Sequence, residues 1–234
     1  MVAIFFSFYH NRDLVPHLND NLANQASMLY MKLSKSITHS EELQLSDVID
    51  VRDGTHDSPS FQANGYPLIT SKHLLPFNVD KLSANLISQS DYNKINERSK
   101  VNTNDILISM IGTVGLVSLV VDLDVNFAIK NVGLLKTSNC PNLIFYIHEY
   151  LKSPKTISYI RKILAGSTQK YISLGELRKL PIILPSSEQL ERFNEDIKPM
   201  MDMIAILTRE NETLSSLRNT LLPLLINGQA IIVD

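Results

Sequence analysis

The chain has 234 residues, 44% hydrophobic and 20% charged, with a formal charge of −2. That is enough for one large or two small domains with a proper core, and the composition is globular, neither disordered nor collagen-like. The one cysteine, Cys140, excludes an internal disulfide framework and fits a reducing, cytoplasmic setting.

No apolar run approaches the ~20 residues that a membrane-spanning helix needs. Charge is unevenly spread: Leu43 to Pro185 carries 15 Lys and Arg against 12 Asp and Glu, and Ser186 to Asp234 carries 4 against 8. A mildly basic centre permits nucleic-acid binding without demonstrating it, because a solvated surface gives similar counts.

The opening Met1-Val-Ala-Ile-Phe-Phe-Ser-Phe-Tyr9 has no basic lead, and His10-Asn11-Arg12 is no small-residue cleavage site. It reads as a packed segment and not as a signal peptide. From about Asn11 to Ser36, Val15, Leu18, Leu22, Gln25, Leu29 and Leu33 recur at spacings near three and four, which predicts a helix. Asn11 or Asp13 is its expected cap, and Pro16 falls in its first turn. Thr38 to Glu41 reads as a hinge.

From Leu43 to Pro185 the texture changes. Short β-branched runs at Val48–Val51, Pro67–Thr70, Asp105–Ser109, Leu116–Val121 and Val132–Leu135 are separated by turn residues, and seven of the eight glycines fall here. Helices are expected over Asn142 to Lys152 and Lys155 to Leu164. Strands interrupted by a few helices, without regular βαβ alternation, predict an α+β domain.

The clearest signal starts near Ser186-Ser187, a capping candidate with Glu191 behind it. Leu190, Ile197 and Ile204 recur at one heptad position, continued by Asn211, and Phe193, Met200, Leu207, Leu214 and Leu221 recur at the other. A polar Asn in a coiled-coil seam fixes register and partner number. Pro199 is expected to bend or break this helix, Leu222-Pro223 to end it, and Asn227-Gly228 to turn the chain beyond it. A rod from Ser187 to Leu222 measures ~54 Å, too long to bury its seam on the central domain alone. It needs another helix, from the first segment, from a second chain or from both. The expected division is an N-terminal helical segment (1–38), a central domain (39–185), a spacer and dimerisation helix (186–228) and a tail (229–234).

Three stretches carry candidate chemistry. Asp53-Gly-Thr-His-Asp-Ser-Pro59 offers Asp53, His56 and Asp57 as metal ligands for a hydrolase, or Ser58, His56 and Asp53 as a triad. No HxH or HxxxH pair supports a metal, and such close neighbours do not readily form a relay. A turn built by Asp-Gly, Thr and Ser-Pro outweighs both. Gly112-Thr-Val-Gly115 lacks the rest of a phosphate loop and reads as a strand–turn–strand connection. Gly166-Ser-Thr-Gln-Lys170 is rich in donors: Gln169 can read adenine, and Lys170 can meet guanine or phosphate. On residue chemistry alone the chain looks like a binding protein.

Several stretches jointly resemble the DNA specificity subunits of type I restriction-modification systems. They are Val51-Arg-Asp-Gly-Thr-His-Asp-Ser-Pro59, Gly65-Tyr-Pro-Leu-Ile-Thr-Ser-Lys-His-Leu74, Asp105-Ile-Leu-Ile-Ser109, Gly112-Thr-Val-Gly115, Gly166-Ser-Thr-Gln-Lys-Tyr-Ile-Ser173, Leu177-Arg-Lys-Leu-Pro181, Leu184-Pro-Ser-Ser-Glu-Gln189 and Leu217-Arg-Asn-Thr-Leu-Leu-Pro223 with Gly228. They follow the family's order from about Val48 to Gly228. Asn21-Leu-Ala-Asn-Gln-Ala-Ser-Met-Leu-Tyr30 itself resembles the far end of the family's conserved helix.

The resemblance implies a non-catalytic subunit, without metal or cofactor, whose target recognition domain reads double-stranded DNA. Its partners would be a methyltransferase (M) subunit and a restriction/translocase (R) subunit, in the cytoplasm and off the membrane. Family members usually carry two recognition domains and this chain has one, so a homodimer reading a split palindrome is expected. Expected DNA contacts are His56, Ser71, Lys72, Thr168, Gln169 and Lys170, with Gly54, Pro59, Gly112, Gly115 and Gly166 shaping loops. The open rivals are the metal-dependent hydrolase and a coiled-coil module that binds protein.

Overall fold

The computed structural model describes residues 2–38, 41–166 and 170–227. The first helix, α1 (Val2–Ser36), starts well before Asn11, so the expected caps Asn11 and Asp13 and the expected first-turn proline Pro16 all lie within it. Next come β1 (Glu42–Gln44), the short helix α2 (Leu45–Val48) and β2 (Val51–Asp53). The Val48–Val51 run is therefore strand only at its last residue. The Gln44 N–H donates to Asp47 Oδ2 at 3.1 Å, and the Ile49 N–H closes a helical turn on Leu45 O. That local bonding wins over β propensity.

Strands β3 (Phe61–Gln62) and β4 (Tyr66–Ile69) precede a 3₁₀ turn at Ser71–His73. The β5 (Leu74–Leu75) and β6 (Asn78–Val79) hairpin and β7 (Leu86–Ile87) follow. Helix α3 (Gln89–Ser99) is capped by Ser88, whose hydroxyl accepts from the Asp91 N–H at 3.0 Å. Then come β8 (Ile106–Ser109), β9 (Val117–Leu119), β10 (Ala128–Ile129) and β11 (Val132–Leu135). Helices α4 (Ile144–Lys152), α5 (Pro154–Ile163) and α6 (Leu174–Arg178) lead to β12 (Pro181–Ile183) and the long α7 (Ser187–Ile226).

The main sheet is antiparallel, in the order β2-β11-β8-β9. A second, mixed sheet runs β10-β4-β7-β3, with β10 and β4 parallel. The fold class is thus α+β. Both faces of the main sheet are covered, which explains why its strands read as unbroken apolar runs. Ile106, Ile108, Val117 and Leu119 point to one cluster, with α4, α1 and α7. Leu107, Val120, Val132 and Leu134 point to the other.

At the neck, β1 pairs antiparallel with β12, setting Leu43 opposite Ile182. The Tyr150 hydroxyl of α4 donates to Pro181 O at 2.8 Å, and that of Tyr146 donates to Ile183 O. Helices α1 and α7 leave this neck antiparallel to each other: Gln189 Nε2 donates to Ser36 O at 3.3 Å, and Asn19 Nδ2 to Thr208 Oγ1 at 3.4 Å.

Helix α7 departs from expectation in four respects. Its cap is Ser186 with Gln189, not Glu191: Ser186 Oγ accepts from the Gln189 N–H at 3.2 Å, and Gln189 Oε1 accepts back at 3.0 Å. It runs unbroken through Pro199 and Pro223, both on the solvent side, where water can take the carbonyl each leaves unpaired. It ends at Ile226, giving 40 residues and a length of ~60 Å. Gly228 lies outside the described residues.

The fourth departure concerns the seam. Phe193, Ile197, Met201 and Ile204 are the buried positions, and they pack against α1 and α4 of the same chain. Met201 replaces the expected Met200, which is half-buried, as are Leu190, Leu207, Asn211 and Leu214, while Leu221 is exposed. On a helix of 3.6 residues per turn, Asn211 lies in line with Phe193 and Ile204, on the own-chain face. The stripe Leu214, Leu217, Leu221 and Leu224 points about a third of a turn away, and its last three residues are exposed.

Candidate nucleic-acid interface

The register of the main sheet decides where the candidate residues go. Gly133 pairs with Asp53, and Val132 with Ser109. The end of β2, the end of β8 and the start of β11 therefore share one sheet end. Three loops leave it together: 54–60 after β2, 110–116 after β8 and 130–131 before β11. The outer two flank β11, at ~10 Å from each other for two strand spacings.

The Asp53–Pro59 loop lies directly on the chain before β11. The Gly54 N–H donates to Val132 O at 2.9 Å, and the Thr55 N–H to Ile129 O at 3.0 Å. A Cβ at Gly54 would stand 2.3 Å from Ile129 O, so only glycine permits this approach. The Asn131 N–H returns a bond to Thr55 O at 3.1 Å, from a left-handed backbone with φ 53°. Thr55 Oγ1 accepts from the Asp57 N–H at 3.1 Å, the local bond expected of a turn.

Two ionisable groups of the loop, Asp53 and His56, are already engaged. Asp53 is buried: one carboxylate oxygen takes the Arg98 guanidinium, and the other lies 3.0 Å from His56 Nε2. His56 Nδ1 is 2.6 Å from Asn131 Oδ1. Ser58 Oγ accepts from the Lys130 ammonium at 2.5 Å and does not meet His56. The triad reading fails on this geometry. So does the hydrolase reading, because both Asp53 oxygens are occupied and Asp57 is exposed on the turn. Among the described residues, no three His, Cys, Asp or Glu side chains group to hold an ion. His56 instead presents an outward imidazole, about two-thirds exposed, on a fixed base.

Ser71 and Lys72 join this end from β4. The Lys130 N–H donates to Ile69 O at 2.8 Å, Ser71 Oγ reaches Asn131 O at 3.5 Å, and Lys72 is exposed. Lys170 joins through the middle loop. Its carbonyl accepts from the Gly112 N–H at 3.2 Å, and the Ile172 N–H bonds Met110 O at 2.9 Å. Gly112, Gly115 and Gly166 have φ of 78°, 90° and 89°, the left-handed region that favours glycine. Pro59 is half-buried after the turn. Thr168 and Gln169 lie outside the described residues.

Lys72, Lys130, Lys170 and Arg98 set against Asp53 and Asp57 leave this end net basic. The Ser71 hydroxyl and the Asn131 amide share this end with the cations and with the exposed face of the His56 ring, and hydroxyl and amide groups suit phosphates and base edges. Sequence reasoning missed Arg98, Lys130 and Asn131. Asn131 ahead of an apolar run was a usable turn signal. Arg98, on α3, offered none.

The loops thus gather on one sheet end of an α+β domain mounted on a long helix pair. The chain belongs to the family described as type I restriction modification DNA specificity domains, whose model matches residues 38–216. It is 28% identical over 131 residues to the type I restriction enzyme HindI specificity subunit of Haemophilus influenzae, covering 55% of this chain and 28% of that one. The crystal structure of the type I restriction-modification system S subunit from M. genitalium superposes with a TM-score of 0.59 at 12% identity, over 94% of this chain and 58% of that one. This chain thus spans less than two-thirds of either protein. Among the described residues, no helix is long and apolar enough to cross a membrane.

Proposed function

We propose that this chain is the DNA-reading, non-catalytic subunit of a type I restriction-modification assembly. The observation that carries the reading is the convergence of three loops, with Ser71-Lys72 and Lys170 tied to them, on one basic sheet end of a domain of this family. Lysines position on phosphates there, while His56, Ser71 and Asn131 meet base edges, joined by Thr168 and Gln169 as the sequence suggests. Partner methyltransferase and restriction/translocase subunits act where this subunit docks.

Residues 1–38, 39–185 and 186–228 serve as helical segment, recognition domain and spacer. Two copies pair through the distal part of α7, along Leu214, Leu217, Leu221 and Leu224, and hold two domains over a split palindrome. The exposed leucines there support this pairing, and they replace the Ile197 and Ile204 positions already buried within one chain. Only the arm beyond the domain separates the two copies, so the whole rod overstates the gap. The fourteen residue-to-residue rises from Glu212 to Ile226 give ~21 Å. Two such arms, side by side or end to end, place an unread gap of ~6 to ~12 base pairs at ~3.4 Å each.

The test is methylome sequencing of cells carrying this gene with its methyltransferase partner. A palindromic motif split by a constant gap is expected; a contiguous motif, or none, overturns the reading.

A further inference from the structure

The arm is fixed to its domain in two ways. The first is apolar: Phe193, Ile197, Met201 and Ile204 sit in the shared core. The second lies further along the helix and is polar. The Arg209 guanidinium donates to Val121 O at 3.1 Å. Glu212 Oε1 accepts from Asn78 Nδ2 at 2.7 Å and stands 3.6 Å from Lys81 Nζ. Lys81 in turn donates to the buried Asp122 at 2.6 Å. Burial draws the Lys81 ammonium's pKa down, but Asp122 and Glu212 together overcome it and hold the pKa above the ordinary lysine value.

Position gives this cluster leverage. Val121 and Asp122 follow β9, whose Leu119 pairs with Ile106. They therefore sit at the sheet end opposite the reading loops. Apolar helix packing is non-directional and leaves the angle of the arm to side-chain shape alone. A duplex turns by ~34–36° with each base pair, at ~10 to 10.5 base pairs per turn, so an arm that rotates about its packing changes which gap the two domains fit. Directional bonds at Arg209 and Glu212 remove that freedom.

We propose that Arg209 and Glu212, with Asn78, Lys81 and Asp122, are positioning residues that fix the gap between the two half-sites without touching DNA. This rests on the dimer reading above. The test uses the full chain with its methyltransferase partner and duplexes that keep both half-sites while the gap varies by single base pairs. Wild type is expected to select one gap. Arg209→Ala with Glu212→Ala, which keeps good helix formers in the rod, is expected to bind gaps one base pair longer and shorter. Its preference for the central gap should fall at least tenfold, with half-site bases unchanged. Arg209→Ala alone should broaden the gap less, and thermal melting of each variant establishes that it is folded. A folded variant as selective as wild type overturns the clamp alone. A wild type that prefers no gap overturns the dimer reading and the clamp with it.

Discussion

Asp53 looks reactive in the sequence and is structural in the fold. Its neighbours Gly54 and Thr55 make a turn that their own chemistry announces. The partnership of Asp53 with Arg98 and that of His56 with Asn131 do not announce themselves, because the first spans 45 residues and the second 75. Glu149 is the same kind of case, and it was not anticipated. Its carboxylate accepts from Ser27 of α1 at 2.6 Å, from Lys152 at 2.8 Å, and lies 2.9 Å from His148 Nδ1. Burial alone raises its pKa, but His148 and Lys152 outweigh that and bring it to about 2, from an ordinary 4.5. The unfolded chain then binds the proton more readily than the folded one. Glu149 thus contributes stability that is complete above pH 4.5 and is lost as pH falls towards about 2. Urea denaturation should find Glu149→Gln less stable by on the order of 3 kcal/mol at pH 7, and that difference should shrink by about 2 kcal/mol at pH 3.

At the scale of elements, the long helix was the most legible part of the sequence and its seam the least accurately placed. Apolar recurrence announces a helix, but it does not say what the helix packs on. The buried set Phe193, Ile197, Met201, Ile204 is spaced four, four and three, the stripe of a nearly straight helix, whereas the expected heptad requires supercoiling. An antiparallel partner in the same chain, with α4 packed beside it, takes the place of a second supercoiled strand. Equilibrium unfolding separates the two: Ile197→Ala should cost about 2–5 kcal/mol. Met200→Ala should cost less than about 1 kcal/mol, since little of its surface is lost from a core. Equal costs would restore the heptad seam. The strands within Asp105–Ser109 and Val132–Leu135 were legible because burial on both faces writes them as continuous apolar runs. Sheet order was not, because the register that gathers the loops depends on pairings distant in sequence.

At the scale of the whole molecule, a nearly neutral protein concentrates cations where its loops converge. Binding to duplex DNA should therefore weaken steeply with salt despite the formal charge of −2. Lys72→Ala and Lys130→Ala should each lower the slope of log affinity against log salt by about 1 and weaken all sequences alike, measured by titration of labelled duplex. A loss confined to one sequence would mark that lysine as a base reader.

The ribbon between β1 and β12 has a genetic consequence. It brings residues 42 and 183 together, so two crossovers at the ribbon would excise every reading loop and return the chain to the same arm. Such a cassette is exchangeable only if it keeps the α4 face, because Tyr146 meets Tyr30 of α1 and Phe193 of α7. On the proposed function, transplanting residues 42–183 with the helix-facing side kept would move the described loops of the candidate interface as one unit.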